Sequence, residues 1–98
     1  MTDRRDRIHG SLFGLALGDA WGAPGEFLSV DQILGRWPPA GPADPGVGGW
    51  RVTDDTQMAL AVGEALLVAD HPLTAATVEG PLRAAFIAWN RSPENNRA

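Results

Sequence analysis

A chain of ninety-eight residues allows one domain at most and only a marginal core, and its 44% apolar share is ordinary for a globular protein and too high for a disordered one. Eight arginines against twelve carboxylates give a formal net charge of -4, which argues against nucleic acid as a partner. Cysteine, lysine and tyrosine are all absent, so disulfides, thiolate nucleophiles, cysteine zinc sites, Schiff-base chemistry and a P-loop lysine are excluded within this chain.

The first predicted element is a helix from about Asp3 to Ala20, with Thr2 or Asp3 as its cap. Ile8, Leu12, Leu15 and Ala16 share one stripe of it, while Arg4, Arg5 and Arg7 read as a solvated face. No apolar segment suited to a signal peptide opens the chain, because Asp3, Asp6 and His9 interrupt it. Gly10, Gly14 and Gly18 recur every four residues, a costly choice in a solvated helix. Close approach of another helix or a ligand along that edge is the expected reason.

Gly22, Pro24 and Gly25 then predict a turn. Ser29 can cap a short helix from Val30 to Leu34, which Gly35 would close. From Arg36 to Val52 the chain is rich in proline and glycine and reads as a long ordered loop or a lid. A second strong helix starts near Thr53 or Asp54 and runs to about Ala69, with Met58, Val62, Ala65, Leu66 and Ala69 as its buried face. His71-Pro72 ends it. Thr74 can cap a third segment that aligns Val78, Leu82, Ala85, Phe86 and Trp89, with a break or kink expected at Pro81. The tail from Arg91 onward is polar and expected to fray.

The fold class is all-α, and the apolar stripes outnumber their partners within the chain. The longest apolar stretch, Met58 to Ala69, carries Glu64 and is too short to span a bilayer, so a soluble cytoplasmic protein without a membrane partner is expected.

The strongest chemical signal is Thr53-Asp54-Asp55-Thr56, four oxygen-bearing side chains in a row at a helix start. Capping explains it plainly, since acids in a first turn favour the helix dipole. A metal half-site is the alternative: adjacent acids repel, one residue suffices to cap, and hard cations such as Mg²⁺ take such oxygens. Asp19 is a second oddity, an acid on the apolar stripe near a helix C-terminus, where the dipole disfavours it. Either the helix ends by Gly18 and Asp19 is exposed or bonded in the turn, or it is aimed at a site between helices. Glu26 alone reads as a surface residue. His9 and His71 have no partners at metal spacing, and Trp21, Trp37 and Trp50 suit packing better than base stacking.

The ordered set Arg7-Ile8, Gly10, Leu12, Gly14, Ala16, Gly18-Asp19-Ala20, then Gly22 and Glu26, then Thr53 to Leu60, with Phe86, Trp89, Arg91 and Ser92 beyond, resembles the N-terminal part of the ADP-ribosylglycohydrolase family. Within that family it is most similar to the dinitrogenase reductase activating glycohydrolase group. The resemblance implies an orthogonal all-α helical domain with a dinuclear Mg²⁺ or Mn²⁺ centre that hydrolyses the glycosidic bond between ADP-ribose and a protein side chain or small acceptor. It implies Thr53, Asp54 and Asp55 as metal ligands, Glu26 as the acidic residue beside the substrate with a part in catalysis, and Gly22 with its turn as room for ADP-ribose. Asp19 matches a family position without an assigned role. Family members are longer and carry a second D-x-D-T-type cluster, which is lacking after Thr56 here. Residues 1–98 are therefore expected to be the N-terminal portion of one such domain, incomplete without its C-terminal part or a complementing chain. A non-catalytic helical interaction module is the alternative.

Overall fold

The computed structural model describes residues 3–44, 46 and 49–96. All regular structure among them is helical, as the sequence predicts: four α-helices and one 3₁₀ turn. The chain falls into two compact units, one ending at Thr53 and one beginning at Asp54. Among the described residues no helix is long and apolar enough to cross a membrane.

The first unit begins with α1 (Arg4–Gly22), capped by the Asp3 carboxylate, which accepts from the Asp6 amide at 2.8 Å. Thr2, the other candidate cap, lies outside the described residues. The helix does not end by Gly18 but runs on until Ala23 donates to the carbonyl of Asp19. Pro24 has no N–H to offer Ala20, and the chain tightens there into the 3₁₀ turn Ala23–Gly25. Gly22 thus belongs to the helix rather than to the turn.

Among the described residues, nothing supplies the crowding expected along the glycine edge. A Cβ at Gly10, Gly14 or Gly18 would meet nothing within 4 Å. The apolar stripe beside it is open as well, with Ile8 52%, Leu12 41% and Leu15 40% exposed.

Helix α2 (Val30–Arg36) starts from a full capping box. Ser29 Oγ accepts from the Gln32 amide at 3.1 Å, and Gln32 Oε1 accepts from the Ser29 amide at 2.8 Å. It passes through Gly35, contrary to expectation. What stops it is Trp37, which precedes Pro38 and is forced out of the helical region to φ -130°, ψ 72°. Trp37 is half-buried, with the Arg36 guanidinium 5.0 Å from its ring centroid.

The following segment forms no α-helix among its described residues, in line with a long loop. Gly41 sits at φ +100°, where L side chains are strained, with Ile33 of α2 against it. At Gly46 a Cβ would come within 2.9 Å of Trp50 Nε1, so a larger residue there would displace the indole. The loop is tied back to α1 by Trp21, whose Nε1 donates to the Pro42 carbonyl at 2.8 Å.

The second unit is a helical hairpin of α3 (Asp54–Val68) and α4 (Ala75–Arg91). Its buried positions are Thr56, Ala61, Ala65 and Ala69. The alanines recur every fourth residue and let α4 approach closely. The predicted face is rotated accordingly: Ala65 and Ala69 are buried, Met58 and Val62 half-buried, and Leu66 exposed. On α4 the expected stripe of Val78, Leu82, Ala85, Phe86 and Trp89 is half-buried throughout.

Thr74 caps α4 reciprocally with Thr77. Pro81 does not break the helix. It forfeits its own bond to the Thr77 carbonyl, and Gly80 before it has no Cβ to clash with the proline ring.

The tail is not frayed through Asn96. The Asn95 side-chain amide donates to the carbonyls of Trp89, Asn90 and Ser92 at 3.3, 3.0 and 2.8 Å and so ties the tail to the helix end. Gln57 on α3 gathers the rest. Its Oε1 accepts from Trp89 Nε1 at 2.9 Å and from the Asn96 amide at 2.7 Å, and its Nε2 donates to the Glu94 carbonyl at 3.1 Å.

Candidate functional site

The structure draws two of the singled-out residues together. Asp19, half-buried on the last full turn of α1, accepts twice from Thr53, thirty-four residues later. The Thr53 amide donates to Oδ2 at 2.8 Å and its hydroxyl to Oδ1 at 2.7 Å. An acid near a helix C-terminus is disfavoured by the dipole, and two donors on one carboxylate offset that penalty. Asp19 is therefore not exposed, and its carboxylate reaches across to Thr53. It holds the far end of the loop.

Asp54 and Asp55 follow as the first turn of α3, Asp54 half-buried and Asp55 exposed. Both favour the helix start electrostatically, so the capping reading and the ligand reading coexist. Thr56, next in the run, is buried.

The donors Thr53, Asp54 and Asp55 are hard oxygens, the chemistry that Mg²⁺ and Mn²⁺ select. They suit one side of a metal shell and fall short of all of it. Among the described residues, no three His, Cys, Asp or Glu side chains gather closely enough to hold an ion.

Glu26 ends the 3₁₀ turn, its amide donating to the Ala23 carbonyl at 3.2 Å and its side chain in solvent. Gly22 is exposed in a helical conformation that any residue adopts, and a Cβ there would meet nothing within 4 Å. Among the described residues, no neighbour requires glycine at that point. His9 and His71 are exposed, as expected of residues outside any site.

Two features escaped the sequence reading. Phe27, directly after Glu26, holds the left-handed conformation at φ 67° while 85% exposed. An aromatic there is strained without the recompense of burial, and such strain gathers beside functional groups. The sequence carries no signal for it. Gln57 is the other, and its position four residues before Ala61 on the alanine stripe is the clue. Beside it α3, α4 and the tail enclose a groove of about 250 Å³ floored by Leu60, Ala61, Ala85 and Trp89, with Glu64 and Glu94 at its walls. None of Gly22, Glu26, Thr53, Asp54 or Asp55 lines that groove.

The ADP-ribosylglycohydrolase family profile matches the chain over residues 1–98. The chain belongs to this family. Its relatives include the ADP-ribosyl-[dinitrogen reductase] glycohydrolase of Rhodospirillum rubrum, 39% identical across 62% of this chain and 22% of the relative. Two ADP-ribosylarginine hydrolases are also similar. That of Serratia proteamaculans is 36% identical over 97% of the chain and 24% of its own length, and that of Pseudomonas putida 37% identical over 93% and 23%. The chain thus spans about a quarter of the length of these family members. No solved structure matches it.

Proposed function

We propose that this chain carries the N-terminal ligands and the proton-transfer group of a metal-dependent ADP-ribosyl hydrolase. The reaction is hydrolysis of the glycosidic bond joining ADP-ribose to a protein side chain or small acceptor. The names of the Rhodospirillum, Serratia and Pseudomonas relatives favour an ADP-ribosylated protein, with arginine as the acceptor. The observation that carries the reading is Thr53 fixed by two hydrogen bonds directly before Asp54 and Asp55.

Thr53, Asp54 and Asp55 would hold one side of a Mg²⁺ or Mn²⁺ centre, dinuclear in the intact family, which when bound supplies Lewis acidity toward ribose hydroxyls and water. Glu26 extends an exposed carboxylate from a backbone anchored at Ala23, in the manner of a general acid or base. Gly22 leaves an open backbone edge on which ADP-ribose has room. Positive charge developing at the anomeric carbon is stabilised by neighbouring carboxylates, and loss of the acceptor calls for a proton. Carboxylate separations used to sort ordinary glycosidases do not transfer, because metal ions share the work. The remaining ligands come from a C-terminal part of the domain or a complementing chain, and the cytoplasm is the expected compartment.

The test is to mix the purified chain with the C-terminal three-quarters of the Serratia relative, Mg²⁺ and a protein bearing ADP-ribosylarginine. Release of ADP-ribose that needs both polypeptides and vanishes in the Asp54→Ala, Asp55→Ala double variant is the expected result. No Mg²⁺-dependent binding of ADP-ribose by the mixture would overturn the reading. The large apolar side chains left open, Phe13, Leu67 and Val68 among them, favour a non-catalytic interaction module as the second reading. Release of ADP-ribose would sink that one.

A further inference from the structure

We infer that Asp19 is a positioning residue, setting the direction in which Thr53 offers its oxygen to a divalent cation. The inference rests on the metal reading above and adds to it a residue with no place in the ligand set.

A threonine hydroxyl has one hydrogen and two lone pairs, and only a lone pair can face a cation. In this chain the hydrogen is committed to Asp19 Oδ1 at 2.7 Å. Any other group approaching Oγ1 therefore meets a lone pair. The second Asp19 oxygen takes the Thr53 amide at 2.8 Å, so both ends of one carboxylate grip one residue. Rotating the Thr53 side chain to another rotamer would break the hydroxyl bond while leaving the amide bond in place. Two bonds thus select one rotamer as well as one backbone position. The negative charge on Asp19 also makes Oγ1 a stronger electron-pair donor, as carboxylates behind metal-binding side chains do.

Asparagine at position 19 separates this role from simple bracing. It has the same size and keeps one acceptor for the Thr53 amide. Its other arm is an NH₂ donor, which pairs with a lone pair of Oγ1 and turns the hydroxyl hydrogen outward, toward the cation.

The experiment is a Mn²⁺ titration of the ¹⁵N-labelled 98-residue chain, read as paramagnetic broadening of the amide signals of residues 53–57. Wild type is expected to broaden there first. Asp19→Asn is expected to need about 10- to 100-fold more Mn²⁺, the usual effect of removing such a supporting partner, with α4 signals unmoved. Thr53→Val should match that loss, Thr53→Ser should restore binding, and combining Asp19→Asn with Thr53→Val should cost no more than either alone. Equal broadening in wild type and Asp19→Asn overturns the positioning role and leaves the metal reading standing. Equal broadening in wild type and Thr53→Val does the same if Asp19→Asn fails to fold. An absence of broadening near residues 53–57 in wild type overturns this inference, while the metal reading is decided by the mixture with the C-terminal part.

Discussion

The unit ending at Thr53 and the unit beginning at Asp54 hold themselves together by different means. In the first, Ala20 alone is buried among the described residues, and long-range polar ties run from Trp21 to the Pro42 carbonyl and from Thr53 to Asp19. Both ties start from the end of α1 and secure the loop at two points. In the second, small residues let two helices pack closely, and one glutamine gathers the tail against them. Packed helices resist change through volume and buried bonds. Tied loops resist it through a few directional contacts, which leaves exposed and strained residues such as Phe27 in place.

The contrast predicts a ranking of mutational effects, each measurable by urea denaturation with hydrogen exchange as the local probe. Gln57→Leu should be the most damaging, at about 2–3 kcal/mol, because it removes the oxygen that accepts from both the Trp89 and the Asn96 N–H groups. The Asn96 amide should exchange much faster in that variant, and an unchanged rate would break the claim that Gln57 holds the tail. Ala65→Leu should cost about 1–3 kcal/mol by overpacking a position only 1% exposed. A neutral outcome there would mean the hairpin is looser than its alanines imply.

The first unit should respond in the opposite direction at Phe27. Replacing it with glycine should stabilise by up to about 1 kcal/mol, since the left-handed strain is removed and little burial is lost. Destabilisation would show that the aromatic ring matters to the fold after all. Smallest of all is Glu79→Gln, which removes the ion pair with Arg83. Both side chains are 69% exposed, so less than about 0.5 kcal/mol is expected.

Helices proved legible in the sequence wherever a local rule acts. Asp3, Ser29 and Thr74 all cap as their side chains predict, and the α4 stripe has the expected period. The misreadings share a cause, a local preference overruled by a neighbour. Gly35 could have closed α2, yet the proline after Trp37 decides the end. Pro81 could have broken α4, yet Gly80 removes the clash. The Asp54-Asp55 pair was readable because its chemistry is written in adjacent letters. The partnership of Asp19 with Thr53 was not, since they lie 34 positions apart, with α2 and the long loop between them, and no periodicity spans that stretch. Gln57 fell between these cases, on a readable stripe but with bonds that only the folded tail supplies.

That glutamine has a practical side. Because Asn96 is bonded to a residue one turn from Asp54 and Asp55, anything fused beyond the tail is leashed beside the acidic turn. A polyhistidine tag attached there would bring its own imidazoles to the carboxylates being assayed and add its own metal affinity to theirs. Tags and reporters for this protein belong ahead of α1, where the arginines face solvent.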